Sequence, residues 1–238
     1  GVSSNLKILS VREAIRLPEK FEAIVIDESQ DVDWEYWDQL VDQLANENSK
    51  LVCFMDANQA IYRVATDLKV RLQAKRSTLR VNMRNTKLIA EVVERLYEGP
   101  FLTTAGPVGT EPKISFVPNS DEVVNKICSE ISLLRNQEGV ELSDIAVLSN
   151  NKDFLRKLRF GLTNARIMHC IAVNRLHSAV VVDSVFNFNG LESPVVLLHS
   201  LNEEGNDREL SYVGTSRART YLHIYASDRN SVIAKALQ

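Results

Sequence analysis

Short, unbroken apolar runs recur along this chain, and nearly every one is followed by a stretch with helical spacing. Ile24–Ile26, Ile145–Leu148, Val180–Val185 and Val195–His199 carry few polar residues, so they do not read as strands with one wet face. They read as strands buried on both sides. Leu51–Met55, Leu79–Val81, Lys113–Val117, Ile167–Val173 and Tyr221–Tyr225 are strand-like as well. Helical patterns fall at Trp34–Asn46, Thr86–Tyr97, Asp121–Arg135, Lys152–Gly161 and Glu209–Arg217. Residues 99–112, GPFLTTAGPVGTEP, hold most of the turn formers and read as a loop. Buried strands alternating with helices imply an α/β fold with a parallel sheet. In open sheets of that kind, ligands bind at the carboxyl ends of strands.

Composition narrows the function classes. The 238 residues are 45% hydrophobic and 25% charged, enough apolar material for one large core or two small ones. No apolar run approaches the roughly 20 residues that a membrane span needs. The start, GVSSNLKILSVREAIRL, lacks the basic head and apolar centre of a signal peptide. Cys53, Cys128 and Cys170 are odd in number and far apart, so neither a disulfide framework nor a zinc spacing is present, and a reducing, cytoplasmic setting is expected. The four histidines are scattered and suggest no metal site. Net charge is −3, divided as −4 over residues 1–75 (9 Lys/Arg, 13 Asp/Glu) and +1 over residues 76–238 (19 and 18). Bulk charge therefore does not announce nucleic-acid binding. The change in balance sets the expected domain boundary, 1–75 and 76–238. The first residue is Gly rather than Met, which suggests a piece of something longer.

One strand ends unusually. After Ala23-Ile24-Val25-Ile26 comes Asp27-Glu28-Ser29-Gln30-Asp31. Carboxylates crowded at one strand end repel unless something holds them. A divalent cation would do so, because Mg²⁺ takes one or two carboxylates together with substrate phosphates. The Walker B arrangement is of this type: an Asp at the strand tip holds Mg²⁺, and the next Glu polarises the attacking water. The plainer alternative is an acidic helix N-terminus complementing the helix dipole.

Further stretches bear on that choice. IVIDESQD closely resembles motif II of the UvrD/Rep-like superfamily 1 helicases. CFMDANQAIY resembles their motif III, with Gln59 at the γ-phosphate-sensing position. LRVNMRN is similar to motif IV, with Arg84 as its arginine. FNGLESPVVLL matches motif V at Gly190, Leu191 and Glu192, and LSYVGTSRARTYLHI is similar to motif VI, with Arg217 as its arginine. Five motifs in family order span Ile24 to Ile224. The resemblance implies two RecA-like domains, the first partial (1–75, motifs II and III) and the second complete (76–238, motifs IV to VI). It implies ATP and Mg²⁺ as cofactors, bound in the inter-domain cleft, with Asp27, Glu28 and Gln59 on one side and Arg84 and Arg217 on the other. Gly190 and Glu192 would also contact the nucleotide. Closure of the cleft would place two guanidiniums on the γ-phosphate and couple hydrolysis to movement along single-stranded or duplex DNA, with RNA left open. Alone, Arg84 or Arg217 would read as a surface salt bridge. Tyr62 would lie near nucleotide or strand, or in a core. Trp34 and Trp37, three apart on one helix, read as packing rather than base-stacking platforms.

The resemblance breaks in places. No GxxxxGK[ST] phosphate cradle occurs in the 238 residues, and only Gly1 to Ala23 precede motif II. The chain is therefore expected to hydrolyse ATP poorly by itself. Met55 stands where motif III has Gly, Arg63-Val64 where a Trp-Arg pair is usual, Met83 where motif IV has Tyr, and Asn189 and Ser193 where motif V has Lys and an aromatic. Too little chain separates motifs IV and V for a large inserted domain. Two rivals follow: a helicase-like binding or regulatory module that does not hydrolyse ATP, and a metal nuclease built on Asp27, Glu28, Asp31 and Asp33.

Overall fold

The computed structural model describes residues 6–56, 75, 77–98, 103–199 and 208–237. The chain divides into two compact units, Gly1–Ser77 and Thr78–Gln238.

In the first unit, β1 (Ala23–Ile26) and β2 (Lys50–Cys53) pair in parallel, Ile26 beside Cys53. A short helix α1 (Val11–Ala14) precedes them, closed by a reciprocal capping box between Ser10 and Glu13. Helix α2 (Trp34–Asp42) lies between the strands and stops earlier than its sequence pattern implied. Ile26, Val32, Trp37 and Leu40 form the core, with Ile24 and Leu51 packed against it. Trp37 is fully buried and its indole N–H donates to the Val32 carbonyl at 3.3 Å, so it is a packing residue as its spacing suggested. The side chain of Trp34 lies outside the described residues. The expectation of a β1 buried on both faces fails: Val25 is 63% exposed, because both helices pack on the side of Ile24 and Ile26. Strand alternation then turns Val25 and Val52 outward.

The second unit is built on six parallel strands in the order β5-β10-β9-β6-β8-β7. These are β5 (Lys113–Phe116), β6 (Ile145–Leu148), β7 (His169–Cys170), β8 (Val180–Asp183), β9 (Ser193–His199) and β10 (Ala218–Ala226). The parallel α/β class read from the sequence is the one observed. Alternate residues serve opposite faces. Val147, Val180, Val182, Val195 and Leu197 join one core with α4 (Ser120–Asn136) and α5 (Lys152–Asn164). On the other face Leu198 meets Gly214 of α6 (Arg208–Ser216), which packs with α3 (Lys87–Leu96) and α7 (Val232–Ala236). Both helices of the first face have Asn caps: the Asn119 and Asn151 side chains accept the Asp121 and Phe154 amides.

Three boundaries differ from the sequence reading. The Ile167–Val173 run yields only the two-residue β7 before a 3₁₀ turn at Ala172–Asn174, drawn off the ladder when the Ala172 amide donates to Asp183. Strands β9 and β10 begin earlier than their apolar runs, because Ser193 N–H donates to the Arg217 carbonyl and extends the pairing through polar residues. Inside the expected loop 99–112, β4 (Thr103–Thr104) pairs in parallel with β3 (Val81–Asn82) as a separate two-stranded sheet. All three cysteines are free thiols, and those of Cys53 and Cys128 are pushed up by burial. Among the described residues no helix is long and apolar enough to cross a membrane.

Candidate functional site

In the first unit the acidic strand end is organised by its backbone. Asp27 follows β1 directly and is exposed. Glu28 takes the left-handed conformation (φ 47°, ψ 43°), which is strained for a side chain with a Cβ and turns the chain into the 3₁₀ helix Ser29–Asp31. One Asp27 oxygen accepts the Glu28 amide at 3.0 Å. Gln30, fully buried, does most to fix the geometry. Its amide nitrogen donates to Glu28 Oε2 at 2.6 Å, and its oxygen accepts the Asp56 amide at 3.1 Å. Ser29 N–H donates to the Phe54 carbonyl as well. The two strand ends that carry the motif II and motif III resemblances are thus joined by a buried carboxamide and by backbone bonds.

The alternative of an acidic helix N-terminus keeps its footing at α2, which has Asp33 at its N-cap and Glu35 in its first turn, although neither Glu28 nor Asp33 caps its helix through a side-chain hydrogen bond. The donor set fits a cation held by one or two carboxylates plus a ligand's own oxygens. It does not form an all-protein cage: among the described residues no group of three or more His, Cys, Asp or Glu is placed to hold a metal. Gln59, Tyr62 and Arg63-Val64 lie outside the described residues.

In the second unit, sequence-distant residues converge where β9 and β10 begin. Glu192 precedes β9. Its carboxylate meets Arg84 Nε at 3.0 Å through one oxygen and Arg219 Nε at 3.5 Å through the other. Arg217, whose side chain is buried, donates to Asn189 Oδ1 at 3.0 Å and to the Leu191 carbonyl at 3.4 Å. Gly190 has φ +74°, a conformation that L side chains rarely adopt, so the turn that presents Asn189 and Glu192 requires glycine. Asn85 is buried behind the cluster and donates to the carbonyls of Ser216 (3.1 Å) and Ala218, while Thr86 N–H donates to the Arg219 carbonyl at 2.9 Å. Gly106 is small for a reason: a Cβ there would stand 2.3 Å from the Asn85 carbonyl oxygen.

Of the residues singled out from sequence, Arg84, Gly190, Glu192 and Arg217 therefore lie together in this unit. Arg84 also makes the surface ion pair that was its plainer reading, with both partners about 40% exposed. Reasoning from sequence missed Gln30, Asn85 and Arg219. Arg219 had a usable signal, the second arginine of Arg217-Ala218-Arg219. Asn85 and Gln30 had none beyond standing beside Arg84 and Glu28. Asn189, seen only as a substitution for lysine, proves to hold Arg217.

The fold and these strand ends define an α/β unit of the helicase RecA-like kind. The C-terminal domain of a possible DNA helicase from Lactobacillus plantarum WCFS1 superposes with TM-score 0.53 at 20% identity, over 66% of this chain and 94% of that one. Arterivirus nonstructural protein 10 (helicase) gives 0.52 at 17% identity over 94% of this chain, and its complex with DNA gives 0.53 at 17% over 94%. The chain spans 43–44% of the length of that viral helicase. Residues 5–74 match the UvrD/REP helicase N-terminal domain family, which is consistent with a UvrD-like superfamily 1 helicase segment. No curated protein matches by sequence.

Proposed function

We propose that this chain is part of an ATP-dependent superfamily 1 helicase. Carboxylates of residues 1–77 and guanidiniums of residues 78–238 would act on one triphosphate. The observation that carries this reading is the meeting of Arg84, Glu192, Arg217 and Arg219 at one sheet edge of the second unit. Phosphoryl transfer needs little covalent chemistry from a protein and much charge placed around the phosphoryl oxygens. Arg84 and Arg219 share the single Glu192 carboxylate, and Arg217 is held beside them by Asn189 and Leu191, so positive charge is in excess for an anion whose oxygens match the guanidinium fork.

In this reading Asp27 holds Mg²⁺ beside the phosphates and Glu28 orients the attacking water. Gln59 senses the γ-phosphate, and Arg84 and Arg217 stabilise charge as it develops. Gly190 and Glu192 shape the nucleotide contact. The bound Mg²⁺ supplies charge neutralisation of the phosphates. The hydrolytic cycle would drive movement along single-stranded nucleic acid, with duplex DNA as the substrate opened. The UvrD/REP match over residues 5–74 and the arterivirus helicase's own complex with DNA support this direction.

The test is single-strand-stimulated ATP hydrolysis by the full-length protein in which this chain occurs. Arg217→Ala should lower turnover by about 10³-fold or more, the scale of a lost arginine finger. Asp27→Asn should abolish the Mg²⁺-dependent rate. Undiminished turnover in Arg217→Ala would defeat the assignment. The 238-residue chain alone, without a GxxxxGK[ST] segment, should hydrolyse ATP poorly.

A further inference from the structure

A second constellation lies on the opposite, outer edge of the large sheet, and the helicase reading makes no use of it. Tyr221, His223 and Tyr225 alternate along β10 and so share one face. Ser115, on the edge strand β5, sits in register beside Tyr225 and presents its side chain to the same face. Helix α4 lies over that face and lowers Glu130 onto it. His223 Nδ1 is 2.8 Å from the Glu130 carboxylate, and His223 Nε2 is 2.9 Å from Ser115 Oγ. The Tyr221 and Tyr225 hydroxyls both donate to Glu130. Burial opposes charge on Glu130, but the bonds from His223, Tyr225 and Tyr221 outweigh it and hold the carboxyl below its usual range. An ionised Glu130 can only accept, so His223 Nδ1 carries a proton, and in the uncharged form of the ring that proton is the only one. Nε2 is then a lone-pair acceptor, and Ser115 donates to it. The Tyr225 ring stacks on the imidazole at 4.4 Å and fixes its plane.

This is the order of roles in an activated serine: hydroxyl, imidazole base, orienting carboxylate. It opens on a shallow surface depression of about 400 Å³ that Ser115 and His223 line together with Asn125, Lys126 and Ser129. That volume suits a small molecule. Lys126 and Asn125 put an ammonium and an amide in the same lining, groups able to stabilise charge on a carbonyl oxygen, with Glu122 at 3.5 Å from the lysine.

We propose that Ser115, His223 and Glu130 form a nucleophilic site that takes small activated carboxylic esters. Ser115 Oγ bonds to the carbonyl carbon as its proton passes to His223 Nε2, and the carbonyl electron pair moves onto oxygen. Collapse expels the alkoxide, which takes that proton and leaves as alcohol, with the acyl group on Ser115. Water then attacks the acyl carbon while giving a proton to His223. The acid departs, and Ser115 recovers its proton from the imidazole. Ser115 is the nucleophile, His223 the base, and Glu130 a positioning residue.

The experiment incubates the whole 238-residue chain with a fluorophosphonate probe, locates the adduct by peptide mass, and follows p-nitrophenyl acetate hydrolysis in parallel. The expected result is one phosphonyl group on Ser115, absent from Ser115→Ala. His223→Gln should slow labelling at least tenfold. Glu130→Gln should slow it by up to about 10⁴, the cost of losing the orienting carboxylate in a triad, and should change its pH profile. A Glu130 that served only to fasten α4 to β10 would alter melting and leave the labelling rate and profile unchanged. Wild-type chain that melts cooperatively yet gains no adduct on Ser115 overturns the proposal. So does labelling that is as fast in His223→Gln as in wild type.

Discussion

The acidic strand end of the first unit and the arginine edge of the second differ most in what stands behind them. Asp27 and Glu28 project from a two-stranded ladder over a four-residue buried core, with Val25, Val52, Phe54 and Met55 left substantially exposed. Arg217 and Arg219 stand where β10 begins in a six-stranded parallel sheet with helices on both faces, and Arg84, which follows the separate pair β3-β4, is tied to β10 through Asn85 and Thr86. A two-stranded pair is marginal by itself, whereas a covered parallel sheet is a stable platform. The lesson is that equal resemblance to motifs does not mean equal physical support. The first unit joins its strand ends through the Gln30 carboxamide and two backbone bonds between Ser29, Phe54 and Ile26, while the second ties Asn85, Thr86 and Ser193 to residues 216–219 across several segments.

The comparison can be broken most severely by separating the units. Residues 78–238 expressed alone should keep a cooperative thermal transition, and residues 1–77 alone should show none. A cooperative melt of the short piece would erase the contrast. Next in size are two matched core lesions. Trp37→Ala should cost about 3–5 kcal/mol and Ile131→Ala about 2–5 kcal/mol. The first should abolish hydrogen-exchange protection throughout residues 6–56, whereas the second should lower the larger unit's midpoint and leave it folded.

A third test uses pH. His199 is buried, stacked on Phe154 at 3.7 Å and bonded to Ser149 at 2.9 Å, and burial lowers its pKa from 6.5 to about 4. The unfolded chain therefore takes up a proton first. His199 contributes stability above about pH 6.5 that is lost as pH falls to about 4, a span worth about 3 kcal/mol. All four histidines lie in the second unit, so this softening should spare the first. His199→Gln should flatten the melting profile between those values, and an unchanged slope would remove His199 as its source. The smallest effect belongs to Glu192→Gln. Its ion pairs are exposed, so stability should change by less than about 1 kcal/mol, measured in urea. A larger loss would mean that the arginine edge depends on Glu192 for its structure.

Much of the second unit was legible because its strands are short continuous apolar runs between good helix patterns. Ile145–Leu148 is the clearest case. Thr103–Thr104 was not legible inside a run of turn formers, whereas Val81–Asn82 and His169–Cys170 overlap stretches that read as strands and differ in their bounds, which neighbours set. The candidate site divides similarly. Arg84, Gly190, Glu192 and Arg217 were readable from their motifs. Gln30 and Asn85 were not, because a carboxamide's importance comes from the carbonyls and amides it reaches, and those lie far away in sequence. The alternation Tyr221, His223, Tyr225 was visible as a period of two, but nothing in the sequence named Glu130 as the carboxylate above it.

Asn85 has one more consequence. Its side chain grips the carbonyls on either side of Arg217, and its own backbone follows Arg84 directly. Two guanidiniums far apart along the chain are therefore bolted to one rigid bracket. A tug on either is transmitted to the other as a shared displacement, so this edge should respond to an anion as a single jaw and not as independent fingers.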